Sequence, residues 1–488
     1  MLAIFLSALD QTIVAVSLPA ISASLGKFNL ISWVISAYLV TMTVVTPVYG
    51  KLGDLFGRRK MMLVALTIFT VGSVLCAASV SLGMLIGSRV IQGLGAGGLM
   101  ALSQAIIGDL VPPRERGRYQ GYFSATYAIA SVAGPLLGGV LTQYVSWRWV
   151  FWVNLPLGIV ALYLAVTRLR VLPVKRRAAI IDYPGIVLMS VGLTCLLFAL
   201  TLVEHRSASS LLTLAGLLAG AALCLVLFIR VERRAKEPLI RPGIFGTPGV
   251  TAAIILTFLA NFQTISLSVL IPLRAQLQLG DAPGAAALCL VPLALGAPIG
   301  AYLGGKSAAR IGRFKPQLVC ASIAMPCALL ALAWTPPTTV IMTFIVTLCI
   351  GIAAGVQFPV SMVAVQNAVP IADMGVASST VTLSRSLGGT IGVTVLSTVL
   401  LALLDTRVLP VLSSGGHTEM SINALFTALA HASGPVLDRA REAAGTSFHT
   451  ALLLSAALSL IAICAAWMLP DNELRGRVQA KGAAPQAE

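Results

Sequence analysis

Long apolar runs follow one another along almost the whole chain, separated by short stretches rich in charge, Pro and Gly. A helix needs about 20 residues to cross the hydrocarbon core of a bilayer. The runs are too long for outer-membrane barrel strands and contain Gly, Pro and Ala throughout, so they predict helices. The expected spans are residues 2–24, 30–50, 60–80, 83–107, 118–144, 149–168, 181–203, 209–229, 248–273, 284–304, 316–334, 338–359, 376–403 and 447–469.

The composition agrees with this pattern. Hydrophobic residues make up 57% of the 488 residues and charged residues 10%, with a mean hydropathy of +0.93. A water-soluble domain of this length does not have such a composition. The first apolar run has no basic segment before it, so it predicts a first span and not a cleaved signal peptide. The expected fold class is therefore an all-α polytopic membrane protein with fourteen transmembrane helices.

The basic residues indicate the orientation of the chain in the membrane. The sequence has 33 Lys and Arg against 17 Asp and Glu, and most of the basic residues fall on one side if the N-terminus is cytoplasmic. This is the positive-inside pattern, and an even number of helices returns the C-terminus to the same side. Because the basic residues are scattered over many loops, the net charge of +16 indicates contact with anionic lipid and not nucleic-acid binding.

Several functional classes are excluded by what the apolar runs contain. All eight Cys lie within them, which predicts neither a disulfide framework nor a thiolate metal cluster. The four His lie outside the spans or at their ends, and the chain has no GxxxxGK[ST] loop. We expect no metal, no other cofactor and no ATP hydrolysis. Without paired carboxylates, an intramembrane enzyme or sensor is the remote alternative.

An internal repeat divides the chain. The loop Gly50–Lys60 matches Gly305–Lys315 at an offset of 255, and Gly121, Gly134 and Gly138 match Gly375, Gly388 and Gly392 at an offset of 254. Two matches at nearly one offset indicate a duplicated six-helix unit. The expected parts are a six-helix bundle over 1–170, a linker with two inserted helices over 171–245, a second bundle over 246–470 that includes an external segment, 404–446, and a cytoplasmic tail over 471–488.

Asp10 is an acid deep inside the first apolar run. A carboxylate in hydrocarbon costs at least about 2.5 kcal/mol, so it normally persists because it serves a polar pathway. Since burial and nearby cations shift its protonation, Asp10 is the predicted proton carrier. The intramembrane cations are Arg89 and Arg385. By rise per residue, Asp10 lies about 12 Å and Arg385 about 13 Å from the cytoplasmic boundary, so depth favours Arg385 as the partner. The alternative is a first helix that begins later, with Asp10 as a flanking charge.

Several motifs carry a family resemblance. The loop Gly50–Lys60 resembles the cytoplasmic signature loop of the major facilitator superfamily, and Ala133–Gly139 resembles the fifth-helix motif of its drug:proton antiporters. Leu9–Pro19, Arg89–Gly93 and Trp147–Pro156 extend the match to the fourteen-helix, EmrB/QacA-like branch. The resemblance covers roughly residues 5–400. The second copy of the loop differs from the first at Ala309, which stands where the first loop has Asp54.

The resemblance implies a proton-coupled antiporter in the bacterial cytoplasmic membrane. Its substrates would be lipophilic, cationic drugs or toxic compounds such as antibiotics, exported by alternating access of two halves. The Arg89–Gly93 motif is associated with proton transfer in this branch, so the resemblance favours Arg89 as the partner of Asp10. The alternative within the same fold is export of an endogenous lipid or metabolite.

The expected partners are the small-molecule substrate, protons and the lipid bilayer, and we expect a monomer. The external segment contains an amphipathic stretch, Ser421–Ala432, with apolar residues on one face. We expect this stretch to lie on the membrane or to cap the exit; docking a periplasmic adaptor is the alternative.

A gate latch is predicted at the first signature loop. Its glycines permit close backbone approach, and Asp54 is expected at the N-terminus of the thirteenth helix near Gly375, where free N–H groups favour an anion. Arg58 is expected to pair with Asp109, and Arg118 to join them. The alternative is that these charges only set the topology. The predicted latch residues are Gly50, Gly53, Asp54, Gly57, Arg58, Arg59, Asp109 and Arg118.

A hinge and seal is predicted in the fifth helix. Proline bends a helix, and glycines let another helix pack closely. The resemblance implies that this face lies at the seam between the halves, and ordinary helix packing is the alternative. The residues are Gly134, Pro135, Gly138 and Gly139.

The resemblance also implies a central cavity lined by helices 1, 4, 9 and 12. An apolar cavity with one acid favours lipophilic cations. Each polar candidate is alternatively an interhelical hydrogen-bonding group. The candidate lining residues are Gln11, Gln92, Asn261, Phe262, Gln263, Gln357 and Phe358.

Overall fold

The structure is a computed structural model that describes most of the chain. The described residues are 1–25, 31, 33–171, 182–204, 211–235, 237–240, 242–279, 288–336, 339–370, 373–412 and 434–471. The predicted amphipathic stretch Ser421–Ala432, and the predicted tail apart from Asp471, lie outside these residues.

The described residues form fourteen long helices, as the hydropathy pattern predicts. Their order along the chain is α1 (Leu2–Leu25), α2 (Trp33–Phe56), α3 (Arg58–Ala77), α4 (Leu82–Leu110), α5 (Pro113–Tyr144), α6 (Asn154–Arg168), α7 (Tyr183–Glu204), α8 (Leu211–Glu232), α9 (Pro248–Leu279), α10 (Val291–Ile311), α11 (Lys315–Trp334), α12 (Val340–Ala368), α13 (Met374–Arg407) and α14 (Pro435–Trp467). One-turn helices at Trp149–Trp152 and Leu409–Leu412 flank α6 and α13.

In the described part of the chain, 13 helices are long and apolar enough to cross a membrane. The remaining long helix is α10, which holds prolines, several glycines and Lys306 within its 21 residues. The predicted span 284–304 was wrong at its end. The helix continues through the Gly304–Gly305 pair and stops only at Gly312, whose φ of 73° ends it in the left-handed region.

The helix α14 also differs from its prediction. It begins at Pro435, well before the expected residue 447. Its first turns carry Asp438 and other charged residues, which hydropathy does not register as part of a span. The spanning helix therefore continues beyond the apolar run.

The helices α1–α6 form one half of the molecule and α9–α14 the other, with related packing in each. In the first half, a Cβ on Gly93 of α4 would lie 2.7 Å from the carbonyl oxygen of Tyr38 on α2. In the second half, a Cβ on Gly351 of α12 would lie 2.5 Å from the carbonyl oxygen of Leu293 on α10. Both halves thus bring the same pair of helices into backbone contact through glycine.

The inserted helices α7 and α8 pack beside α2. Trp33 of α2 and Phe198 of α7 have ring centroids 5.0 Å apart. The segment after α8 is fastened to the end of α2, because Lys51 Nζ lies 2.9 Å from Glu237 Oε2. Leu239 and Ile240 pack in the same apolar cluster as Val48 and Met189.

Candidate functional site

Asp10 is fully buried inside the first half, where its carboxylate is paired and hydrogen-bonded. Oδ2 accepts from Arg89 Nη1 at 2.5 Å. Oδ1 accepts from Gln92 Nε2 at 2.8 Å and from Asn154 Nδ2 at 2.9 Å. Asp10, Arg89, Gln92 and Asn154 are called the carboxylate cluster below. Every hydrogen bond to the carboxylate comes from the same half of the molecule.

The spacing along α4 explains two of these contacts. Arg89 and Gln92 are three residues apart, so they share one face of the helix, and Arg89 Nη1 also donates to Gln92 Oε1 at 2.7 Å. Arg89 Nε donates to the carbonyl of Val34 at 2.9 Å, and the guanidinium carbon lies 4.0 Å from the ring centroid of Tyr38. Arg89 therefore has several partners besides Asp10.

Asn154 was not among the predicted site residues. It lies at the start of α6 and donates to Ser73 Oγ at 3.1 Å as well as to Asp10. It belongs to the Trp147–Pro156 motif, so the family resemblance could have marked it as a candidate site residue. A single amide in an apolar run is usually an interhelical donor, and the sequence does not show that this one faces α1.

The pairing has a clear energetic role. Removing one partner of a buried ion pair typically costs about 3–5 kcal/mol, because a charge is left uncompensated. Protonation of Asp10 likewise removes the anion, but Arg89 then keeps the Val34 carbonyl, the Gln92 amide oxygen and the Tyr38 ring. The cluster can therefore open without leaving the guanidinium isolated.

Arg385 lies in the other half and does not pair with Asp10, so the depth argument chose the wrong partner. Its guanidinium carbon lies 4.4 Å from the ring centroid of Phe358 and 5.4 Å from that of Tyr127. Depth along separate helices ignores both helix tilt and the reach of a long side chain. Arg89 reaches Asp10 from a helix of its own half.

The latch contacts join the two halves at one membrane face. Asp54 Oδ1 accepts from the backbone N–H of Gly375 at 3.3 Å, and Oδ2 accepts from that of Val376 at 3.0 Å. Arg58 Nη2 lies 2.7 Å from Asp54 Oδ1, and Arg58 Nε lies 2.6 Å from Asp109 Oδ2. We call this the loop face, because the α2–α3 loop lies there. The acid thus sits at the first turn of α13.

Two basic residues expected in this group lie elsewhere. Arg118 Nε donates to Tyr122 Oη at 2.9 Å on the same exposed face of α5. Arg59 Nη2 donates to the carbonyl of Val166 at 2.9 Å, within the first half. The prediction that Arg118 joins Arg58 was wrong, because the helical phase of α5 turns it outward.

Arg116 takes the inward position on α5 that was expected of Arg118. Its guanidinium donates to the carbonyls of Gly108 at 2.7 Å, Val111 at 3.0 Å and Gln366 at 3.1 Å. Gln366 belongs to the second half and donates to the Gln104 carbonyl at 3.2 Å. Arg116 therefore forms a second polar contact between the halves at the loop face.

The three latch glycines have different roles. A Cβ on Gly50 would lie 2.7 Å from the carbonyl oxygen of Gly375, so this glycine permits the approach of α13. A Cβ on Gly53 would lie 2.6 Å from Leu102 Cδ2 of α4. Gly57 has open space around it but a φ of 92°, which favours glycine in the turn into α3.

A second junction between the halves joins α5 and α10. A Cβ on Gly117 would lie 2.9 Å from Gly305 Cα, so the two backbones touch. One helical turn further, a Cβ on Gly121 would lie 3.6 Å from Tyr302 Cα. Together with the contact of α2 and α13, this junction closes the loop face.

The glycines predicted as a hinge and seal face their own half. A Cβ on Gly138 would lie 2.7 Å from the carbonyl oxygen of Ile13, and one on Gly134 would collide with Thr12, both on α1. Gly139 has nothing within 4 Å of an added Cβ, and Pro135 is exposed. The contact with the other half was wrongly placed, because α5 meets α10 nearer its start, at Gly117 and Gly121.

Some of the candidate cavity residues lie at the boundary between the halves. Gln11 Oε1 accepts from Tyr127 Oη at 2.9 Å, and its Nε2 lies 3.3 Å from Met42 Sδ. The rings of Phe358 and Phe123 have centroids 6.3 Å apart across that boundary. Gln11 and Phe358 therefore both contact α5, Gln11 within the first half and Phe358 across the boundary.

Other candidates lie inside a half instead. Gln92 belongs to the carboxylate cluster. Gln263 donates to the Ser455 carbonyl at 2.9 Å and also accepts from its hydroxyl. Phe262 is 5% exposed and packs in an apolar cluster with residues of α13 and α14. Gln357 is 1% exposed, and neither of its amide atoms has a hydrogen-bond partner among the described residues. These placements correct the prediction, because polarity alone does not indicate which face of a helix is inward.

Long apolar helices in two related halves, with a buried ion pair inside one of them, are the architecture of a polytopic membrane protein. Residues 1–393 match the sequence profile of the Major Facilitator Superfamily. The chain belongs to that family, whose members are transporters and not enzymes.

The relatives agree with the branch expected from the sequence. Multidrug resistance protein 3 of Bacillus subtilis is 35% identical over 400 residues, which cover 82% of this chain and 78% of that protein. An uncharacterized MFS-type transporter of Mycobacterium tuberculosis is 36% identical over 416 residues, which cover 84% of this chain and 60% of that protein. This chain therefore spans about 60% of the length of that mycobacterial relative.

A solved structure shows the same fold. The proton:xylose symporter XylE matches with a TM-score of 0.62 at 15% identity, over 97% of this chain and 95% of the other. The predictions of the superfamily, of its multidrug-resistance-like branch and of an all-helical fold are confirmed.

Proposed function

We propose that the protein is a proton-coupled exporter of lipophilic compounds in the bacterial cytoplasmic membrane, with both termini cytoplasmic. The observation that carries the proposal is the carboxylate cluster, a buried acid whose cation has alternative partners. The positive-inside pattern makes the loop face cytoplasmic. The halves meet at that face, so the arrangement is closed inward.

The cluster supplies the coupling step. A proton that arrives from outside neutralises Asp10 and removes its attraction for Arg89, while Arg89 keeps its contacts with Val34 and Tyr38. The contacts that bring α1, α4 and α6 together are thereby weakened. Their rearrangement is the event that protonation favours, and release of the proton to the inside reforms the pair.

The latch connects this change to the gate. Asp54 bonds to the first turn of α13 in this closed arrangement, and separation of α2 from α13 would break those bonds. Arg116 contributes the contact with Gln366 in the same state. Since a ligand or proton shifts an equilibrium only by its differential affinity for two states, these contacts set how much energy opening requires.

The lipophilic character of the substrate is supported by the partly exposed ring of Phe358 at the boundary between the halves and by the multidrug-resistance relatives. The cationic character expected from the sequence depended on an acid that faces the cavity. Asp10 is fully buried and paired with Arg89, so it does not face the cavity in this arrangement.

The proposal is tested in liposomes that contain the purified chain and a panel of lipophilic fluorescent compounds. We expect Asp10→Asn to abolish efflux driven by a pH gradient while substrate exchange without a gradient continues. Asp438→Asn, on an exposed turn of α14, is the matched control and should transport normally. Gradient-driven efflux in Asp10→Asn at the wild-type rate would exclude Asp10 from coupling.

A further inference from the structure

Arg385 is a cation at the boundary between the halves, and it has no carboxylate partner among the described residues. Its guanidinium contacts the ring of Phe358 in its own half and the ring of Tyr127 in the other. The residue is partly exposed. By contrast, Arg89 and Arg58 each lie within 2.7 Å of a carboxylate oxygen. Arg385 is therefore the intramembrane cation whose charge is not neutralised within the described part of the chain.

The aromatic contacts do not compensate for this charge. A cation–π contact contributes about 0.5–2 kcal/mol, whereas removing a charged group from water costs several kcal/mol even after the protein relaxes. An anion placed beside Arg385 would recover Coulomb energy in a medium less polar than water. The site is therefore electrostatically complementary to a negative group.

One hydrogen-bond donor, the amide of Gln11, fits the same ligand chemistry, and it is linked to Arg385 through Tyr127. Tyr127 donates to Gln11, and this leaves the Gln11 amide nitrogen facing the sulfur of Met42, which is a weak acceptor. Asn261 donates to the carbonyl of Arg385 at 2.8 Å and so holds this part of α13 against α9. Gln11 thus offers a donor that an oxygen anion would satisfy better than a thioether does.

We propose that a cavity between the halves binds lipophilic organic anions, with the carboxylate or sulfonate of the ligand at Arg385 and its apolar body on the partly exposed rings of Phe358 and Tyr127. This inference names the substrate class of the proposed exporter, and in that respect it rests on the proposed function. The acid that would have selected cations, Asp10, is buried among α1, α4 and α6 and paired with Arg89. Arg385 instead gives the cavity a positive charge.

The test compares two dyes that share a xanthene ring system but differ in charge. Fluorescein carries a carboxylate, and tetramethylrhodamine ethyl ester is a cation. Binding of each dye to the full chain in lipid nanodiscs is measured by fluorescence anisotropy. We expect fluorescein to bind at least about tenfold more tightly, which corresponds to about 1.4 kcal/mol.

The variants separate charge from packing. Arg385→Gln should reduce fluorescein binding about tenfold and should strengthen the binding of the cationic dye, because a like charge is removed, whereas Arg385→Lys should keep part of the preference because it keeps the charge. Arg274→Gln is the control. Arg274 also contacts only neutral groups, donating to the carbonyls of Leu332 and Thr335, but it lies within the second half. This variant should bind both dyes as wild type does.

Three results would overturn the inference: tighter binding of the cationic dye, equal fluorescein binding by wild type and Arg385→Gln, or binding of neither dye to wild type. Each is independent of the coupling experiment. If fluorescein binds through Arg385 but Asp10→Asn still transports against a gradient, the proposed coupling fails and the substrate class stands.

Discussion

The two junctions that close the loop face occupy equivalent positions in the repeat, but different contacts hold them. At one junction α2 meets α13 through Gly50 and Gly375, and at the other α10 meets α5 through Gly305 and Gly117. The glycine of the loop is present in both copies. The acid is not, because Ala309 stands in the place of Asp54. One junction is therefore polar and the other is a contact between backbones.

The start of the facing helix explains the difference. The helix α13 begins at Met374, so the N–H groups of Gly375 and Val376 lie in its first turn and need an acceptor. The helix α5 begins at Pro113, so the N–H groups near Gly121 are already bonded within the helix. An acid at the second junction would have no free N–H to bind. The duplicated glycine thus keeps the distance between helices, and the acid is useful only where a helix begins.

The backbone contact is the junction where a substitution should have the largest effect. Gly305→Leu places a side chain where an added Cβ already collides with the backbone of Gly117. Overpacking costs about 1–3 kcal/mol, so the closed loop face should become roughly tenfold or more less populated and transport should be lost. Cysteine accessibility on the loop face measures the population. Gly139→Leu, where an added Cβ meets nothing within 4 Å, is the control. Wild-type accessibility in Gly305→Leu would show that this junction does not limit closure.

The polar contact should have an intermediate effect. Asp54→Asn removes a charge from the first turn of α13, which is worth about 0.3–1 kcal/mol, and weakens the bond to Arg58. The same accessibility measurement should show the loop face open several-fold more often, with the protein still inserted in the membrane. If Asp54→Asn and wild type gave equal accessibility, the polar junction would be no latch.

The smallest effect is expected where the second loop is given the acid that it lacks. Ala309 is exposed, and exposed substitutions usually change stability by less than about 0.5 kcal/mol. Ala309→Asp should therefore leave accessibility and transport unchanged. A clear shift toward the closed state would show that an acid acts at either junction, and the comparison of the two would fail.

The fold could be predicted from the sequence because each helix that spans a bilayer needs its own apolar run of about 20 residues, whatever its tertiary contacts. Length and hydropathy locate spans, and the repeated loop identifies the two halves before any tertiary contact is known. The positions of Asp54 and Gly375 followed from the same argument, since a loop that joins neighbouring helices and a helix that begins nearby have few places to lie. Errors at Ile311 and Pro435 arose where the helix continues without apolar composition.

Helical phase and side-chain reach limited the prediction of the site. Arg116 and Arg118 are two residues apart on α5, and only the structure shows which faces the other half. The pairing of Asp10 with Arg89, and not with Arg385, likewise depends on how far a guanidinium extends from its helix. Neither the inward face of a helix nor the reach of a side chain can be read from the periodicity of an almost uniformly apolar sequence.

The fastening of the segment after α8 limits the travel of the two halves. Lys51 pairs with Glu237, and Glu232 accepts from the amides of Leu239 and Ile240, so only the residues between Ile240 and Pro248 connect these contacts to α9. About seven residues reach at most roughly 25 Å when extended, and five of these, Pro242–Gly246, are coiled in a 3-10 turn. Most of the long linker is therefore fastened to the first half, and only a short connection leads to α9. This short connection limits how far the second half can move from the first, and the contacts of Lys51 and Glu232 hold the inserted helices α7 and α8 beside α2.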